Sequence, residues 1–120
     1  MKPTPVSEMS EATWQGQFID LAHSYGWKHL HVRRTIGRGK KWVTATNRSG
    51  WPDLTLWNQR QKRIIFVELK SEKGVASSEQ REVLGELRNS GQEVYILRPS
   101  ELALAQKILA PQPKPEGDSR

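Results

Sequence analysis

The chain contains no cysteine. That excludes a disulfide framework, a thiolate zinc site and a cysteine nucleophile. The three histidines, His23, His29 and His31, do not supply a zinc-ligand spacing in their place. No apolar run approaches the roughly 20 residues needed to span a bilayer. The opening stretch MKPTPVSEMS lacks the apolar segment of a secretory signal. These absences predict a cytoplasmic, soluble protein without a membrane partner. Acid is also missing locally. Residues 33–48 hold Arg33, Arg34, Arg38, Lys40, Lys41 and Arg48 and no Asp or Glu. Such a segment attracts and steers polyanions, which makes these six residues candidates for nucleic-acid contact. The alternative is a solvated loop kept basic for solubility. Over the whole chain, 19 Lys and Arg against 13 Asp and Glu leave a net charge of +6.

With 120 residues, 35% of them apolar, there is room for one domain. Five tryptophans in so short a chain imply a partly aromatic core. Residues 1–9 are polar with two prolines and read as a flexible arm. Ser10 can cap a helix over about 10–25, with Trp14, Phe18, Leu21, Ala22 and Tyr25 as its apolar stripe and Gly26 as its stop. Residues 27–33 alternate as a strand, placing Trp27, His29 and His31 on one face. Residues 34–50 read mostly as loop, with a short extended piece at 42–45. Strands follow at 53–57 and 64–70. The second is almost continuously apolar and so central. Ser77 caps a second helix to about Asn89, with Val83, Leu84 and Leu87 inward, and Gly91 stops it. A strand at 93–97 and a helix from Pro99 to near Leu109 complete the order α-β-β-β-α-β-α. The β-α-β step implies two parallel strands, and the rest can pair antiparallel. The expected fold is therefore α/β, a mixed sheet of about four strands flanked by helices. The tail 111–120, rich in proline and charge, is expected to be disordered.

The chemistry concentrates in Trp51–Pro52–Asp53 and, fifteen residues after the aspartate, Glu68–Leu69–Lys70. Phosphodiester hydrolysis needs a nucleophilic water, charge relief on the phosphorane and a stabilised leaving oxygen. A hard divalent cation supplies much of this and prefers carboxylate oxygens. A turn centred near residues 59–61 sets Asp53 and Glu68 side by side on a hairpin. Lys70 shares a face with Glu68 and can orient the water or neutralise developing charge. The Leu69 carbonyl is a further candidate metal ligand. An isolated E-x-K on a strand is usually a surface ion pair. Here it ends a buried strand, where charges cost free energy unless they have partners or work.

The segments GWPDLTLW and RIIFVELKSEKGVASSEQREVLGELRNSGQEVYIL resemble the VRR-NUC branch of the PD-(D/E)XK nuclease superfamily, particularly its small stand-alone phage and bacterial members. The resemblance runs from about Glu11 to Leu102. It places the family's metal-binding aspartate on Asp53, its glutamate on Glu68 and its catalytic lysine on Lys70. It implies a restriction-endonuclease-like core over residues 10–110, related to Holliday junction resolvases. It further implies a Mg²⁺-dependent DNA endonuclease activity in which Mn²⁺ can substitute, with no small-molecule cofactor, and a homodimer acting on branched DNA. In the family a glutamine on the helix after E-x-K faces the active site, which corresponds to Gln80. The alternative for Gln80 is local, since Ser77-x-x-Gln80 is also a capping box. Junction resolvases of the superfamily carry a glutamate on the first helix. Counting back from Gly26 puts Gln15 there, and Glu11, one turn earlier, shares its edge. Both are site candidates, with Gln15 favoured; an exposed first-turn glutamate stabilised by the helix dipole is the alternative for Glu11. His31 is a candidate phosphate contact or a structural histidine. Trp51 and Trp57 flank the DL strand and either pack in the core or stack on a base at a fork. The rival functions are a DNA-binding module that keeps the nuclease fold without catalysis and an interaction accessory with no nucleic-acid role.

Overall fold

Ser10 starts the first helix as the pattern requires. Its hydroxyl accepts from the Thr13 amide at 3.1 Å, and α1 runs Glu11–Ser24. Trp14, Phe18 and Ala22, spaced four apart, are fully buried. Tyr25, expected on the same stripe, is exposed instead. It sits at the helix C-cap, and Gly26 at φ +87° then turns the chain away. In the computed structural model the described residues are 4–32, 34–36, 42–44 and 48–113. Arg33, Arg38, Lys40 and Lys41 lie outside them, as do residues 114–120 of the tail.

Six strands follow α1. They are β1 (Lys28–His31), β2 (Arg34–Ile36), β3 (Trp42–Thr44), β4 (Leu54–Asn58), β5 (Arg63–Leu69) and β6 (Glu93–Leu97). The main sheet has the order β1-β4-β5-β6. β1 pairs antiparallel with β4, β4 with β5 antiparallel, and β5 with β6 parallel. Helix α2 (Ser78–Asn89) makes the parallel crossover, and α3 (Leu102–Leu109) follows a 3-10 turn at Pro99–Glu101. This is the mixed four-stranded α/β sheet that the apolar patterning predicts. One segment differs. Within 34–50, expected to be mostly loop with an extended piece at 42–45, both 34–36 and 42–44 are strands: β2 and β3 pair antiparallel as a separate two-stranded sheet, Arg34 opposite Thr44 and Ile36 opposite Trp42. Short strands of this kind lack the long alternation that marks a strand in sequence. The hairpin is inserted where β1 gives way to β4, at the end of the sheet where His31 pairs with Leu54.

The two faces of the sheet differ in what covers them. Leu54 and Leu56 pair with Val67 and Ile65, so they share a face with Leu69, and all five are fully buried. Trp14, Phe18, Trp27 and Leu109 join them in one cluster with α1 and α3. Burying each such side chain contributes roughly 1.5–3 kcal/mol. The two large indoles keep their N–H groups bonded: Trp14 Nε1 donates to the Leu97 carbonyl at 3.0 Å and Trp27 Nε1 to the Leu109 carbonyl at 2.8 Å. On the opposite face α2 packs mainly against β6, with Gln80 at its start reaching Glu68 on β5. Asp53, Glu68 and Lys70 belong to that second face by alternation.

Candidate active site

The site forms where the β4–β5 ladder ends. Asp53 stands opposite Glu68, one step beyond the Leu54–Val67 pair. At this step side chains replace the backbone ladder. The Asp53 amide donates to Glu68 Oε1 at 3.3 Å, and the Leu69 amide donates to Asp53 Oδ2 at 3.2 Å. The Asp53 carbonyl still accepts from the Val32 amide at 3.0 Å, which ties the position to the end of β1. In a strand the N–H and C=O of one residue point to the same side. The Leu69 carbonyl therefore faces the Asp53 side, while the Lys70 amide turns the other way and donates to Leu97 at 3.1 Å.

Glu68 is fully buried and has three partners. Besides the Asp53 amide, Gln80 Nε2 donates to Glu68 Oε2 at 3.0 Å and Lys70 Nζ lies 3.3 Å from the same oxygen. Gln80 owes its position to the start of α2. Its amide donates to Ser77 Oγ at 3.1 Å, and its Oε1 accepts from the Ser77 amide at 2.9 Å. The capping box and the approach to Glu68 thus coexist in one side chain. Across the cluster, carboxylate oxygens of Glu11, Asp53 and Glu68 lie within 4.8 Å of one another. Glu11 is exposed at the first turn of α1, and Asp53 is half-buried.

Burial pushes the Glu68 carboxyl up to about 8, assisted by the charge of Asp53 and a shared hydrogen bond with it. The Lys70 ammonium pulls the other way but is outweighed. In the metal-free protein the repulsion among these carboxyl groups is relieved at neutral pH by a proton on Glu68. Such a group accepts a divalent cation readily, because oxygen donors are what hard cations require and the cation relieves the repulsion. The residues present fit a divalent metal.

The loop before Asp53 supplies a feature that sequence reading passed over. Gly50 has φ +87°, and a Cβ placed on it would lie 2.5 Å from the Glu79 carbonyl oxygen and 2.9 Å from the Gln80 amide nitrogen. The loop is thus pressed against the first turn of α2, the turn that carries Gln80. Buried Pro52 then holds the approach to Asp53 extended. The only sequence signal for this packing is a glycine in front of Trp51–Pro52. Trp51 itself meets Phe66 edge-on, with centroids 5.7 Å apart.

The remaining candidates spread around this centre. Gln15 lies one turn beyond Glu11, with its amide 3.3 Å from the ring nitrogens of His31. His31 closes β1 beside Leu54. Arg48 pairs with Glu86 at 2.8 Å and approaches Glu82 at 3.9 Å, both on α2. Arg34 opens β2. Arg33, Arg38, Lys40 and Lys41 fall outside the described residues.

The fold is thus an α/β domain whose mixed sheet ends, at its antiparallel hairpin, in clustered carboxyl groups beside a lysine. The VRR-NUC domain family matches residues 6–101, and the chain belongs to that family. Membership implies a nuclease-type domain with DNA as its substrate. Neither a curated protein nor a solved structure matches the chain. No helix among the described residues is long and apolar enough to cross a membrane.

Proposed function

We propose that the protein is a divalent-metal-dependent DNA endonuclease with Asp53, Glu68 and Lys70 as its central residues. The observation that carries this reading is the convergence of Glu11, Asp53 and Glu68 within 4.8 Å beside Lys70 in a VRR-NUC domain. Asp53 and Glu68 hold the metal, Mg²⁺ or Mn²⁺, with Glu11 and the Leu69 carbonyl as further oxygen donors. A bound cation supplies a polarised water and charge relief on the phosphorane. Lys70 is positioned by its contact with Glu68 to orient that water and to balance charge as it develops. Gln80 fixes the rotamer of Glu68, so the carboxylate is preorganised before substrate arrives. Gln15 and His31 border the site on the α1 side. The basic segment at 33–48, which follows β1 in sequence, grips the DNA backbone, with Arg48 at its close.

The reading extends to branched DNA and to a homodimer, on the family's association with junction resolvases. Paired incision of a four-way junction needs two sites related by a two-fold axis, and one domain provides one site. The deciding experiment incubates labelled junction, flap, fork, duplex and single-stranded DNA with the protein in Mg²⁺, Mn²⁺ and EDTA. Metal-dependent cutting that disappears in Asp53→Ala is the expected result. Binding without cutting of any substrate would leave a DNA-binding module and overturn the catalytic reading. Cutting by Asp53→Ala at the wild-type rate would overturn the site.

A further inference from the structure

The sheet face that carries Asp53 and Glu68 does not stop at the carboxylates. Strand alternation continues it through Thr55 and Trp57 on β4 and through Phe66 and Ile64 on β5. Cross-strand pairing adds Leu30 opposite Thr55 and Lys28 opposite Trp57. Helix α2 packs mainly on β6 and Trp51 meets Phe66, while the end of this face at Leu30, Trp57 and Ile64 stays exposed. Leu30 is 58% exposed, Ile64 54% and Trp57 39%. A tryptophan on an open sheet face forgoes the burial that Trp14 and Trp27 obtain. Trp57 is also a wall of two cavities, of about 580 and 470 Å³. Lys28 and Arg60 line the first and Lys62 the second, and neither lining contains a carboxylate. From Asp53 to Trp57 the strand advances four residues, about 14 Å at the usual rise.

We infer that this open face is a stacking platform for unpaired nucleotides of the DNA substrate, with a base on Trp57 and phosphates on Lys28 and Arg60. The inference rests on the nuclease reading above for the identity of the polyanion. An indole face binds any base, and the flanking cations match the phosphates that accompany it. A second copy of the chain is the competing occupant for an apolar face. A two-fold contact there would set Lys28, Arg60 and Lys62 against their own copies with no acid in the patch to balance them. The charge pattern therefore favours nucleic acid. The platform faces the same side as the carboxylates, so a strand leaving the site at a fork or branch runs onto it.

The test uses the full chain in Ca²⁺ and reads fluorescence anisotropy of two labelled DNAs. One is a fork with two oligothymidylate arms, and the other is a blunt duplex of the same paired sequence. Trp57→Ala is expected to weaken fork binding at least about fivefold, the scale of one stacked base, and blunt-duplex binding less than about twofold. Trp57→Phe, which keeps a ring, retains most of the fork affinity and guards against a folding effect in the alanine variant. Lys28→Gln with Arg60→Gln lowers the salt dependence of fork binding. Equal weakening of both DNAs, or no weakening of either, overturns the platform. So does a change in sedimentation of the free protein in Trp57→Ala, which assigns the face to a second copy. Cleavage is read separately, with the labelled substrates in Mg²⁺ described above. A chain that binds forks through Trp57 yet cuts nothing would refute the nuclease reading alone, and a chain that cuts but ignores Trp57 would refute the platform alone.

Discussion

In the metal-free protein, Glu68→Gln should raise stability, and by an amount that grows with pH. The Glu68 carboxyl sits at about 8 in the fold against an ordinary value of 4.5. Between those limits the folded state binds a proton that the unfolded state has released. Stability therefore falls as pH rises through this window, by about 1.4 kcal/mol per pH unit for one proton. The contribution is fully favourable below 4.5 and fully lost above about 8. At pH 7, about 2.5 pH units above the ordinary value, the cost of folding with Glu68 protonated amounts to about 3 kcal/mol, and at pH 5 to about 1 kcal/mol. Glutamine is isosteric, can still accept from Gln80, and never ionises. Urea denaturation in EDTA from pH 5 to 8 is the assay, with wild type and variant compared at each pH. The comparison isolates Glu68 from His29, whose pKa is lowered by burial and by His23 and His31 and which acts with the opposite sign on the acid side. Millimolar Mg²⁺ should stabilise wild type more than Glu68→Gln. Parallel stability curves, separated by the same amount at pH 5 and pH 8, would refute the electrostatic account of the site.

Gly50→Ala should lower both melting temperature and cleavage rate, the latter more than about tenfold, because a Cβ 2.5 Å from the Glu79 carbonyl forces the Asp53 loop off α2. Wild-type rates in that variant would show that the loop's seat does not set the site. Lys70→Met should bind DNA normally in Ca²⁺ yet cleave at least roughly a hundredfold more slowly in Mg²⁺, the scale of one lost transition-state stabiliser. A raised KM with unchanged kcat would instead make Lys70 one more phosphate contact. Neutralising Arg38, Lys40 and Lys41 together should flatten the slope of log affinity against log salt, each phosphate contact on duplex DNA being worth about 0.9 counterion. An unchanged slope in a binding titration would remove this segment from the interface.

The elements legible in the sequence are those whose pattern is long and whose ends carry their own chemistry. α1 shows its buried spacing at Trp14, Phe18 and Ala22 and its cap at Ser10. α2 shows its cap at Ser77, and β5 its apolar run. Of the second sheet, β3 was legible as the extended piece at 42–45, but β2 was not, because a three-residue strand inside a basic stretch shows no period. The pairing of Asp53 with Glu68 was legible through turn length, since hairpin register follows from where the turn is centred. Glu11 was harder. Its approach to the carboxylates depends on how α1 crosses the sheet end, and a helical stripe gives the face of a helix but not its height along the packing. Trp57 shows the same limit. The letters DLTLW show that Trp57 lies opposite Leu54 and Leu56 in facing, but not that its end of that face is left exposed.

Gln80 shows how the two levels constrain each other. A capping box accepts either glutamate or glutamine at its third helical position, because only the side-chain oxygen is needed to receive the N-cap amide. At this helix the same side chain also meets Glu68 Oε2 at 3.0 Å and must donate to it. An ionised glutamate has no proton to give and would set a further negative charge against a carboxyl already held up by burial and by Asp53. Glutamine serves both ends, accepting from Ser77 through Oε1 and donating to Glu68 through Nε2. Its amide neutralises nothing, so Glu68 keeps its capacity for a cation while its rotamer is fixed. Helix α2 therefore begins where it does for a reason that local propensity alone does not contain. Its first turn is clamped from one side by the cap and from the other by Gly50, and both contacts act on the pair of carboxylates at the end of the sheet.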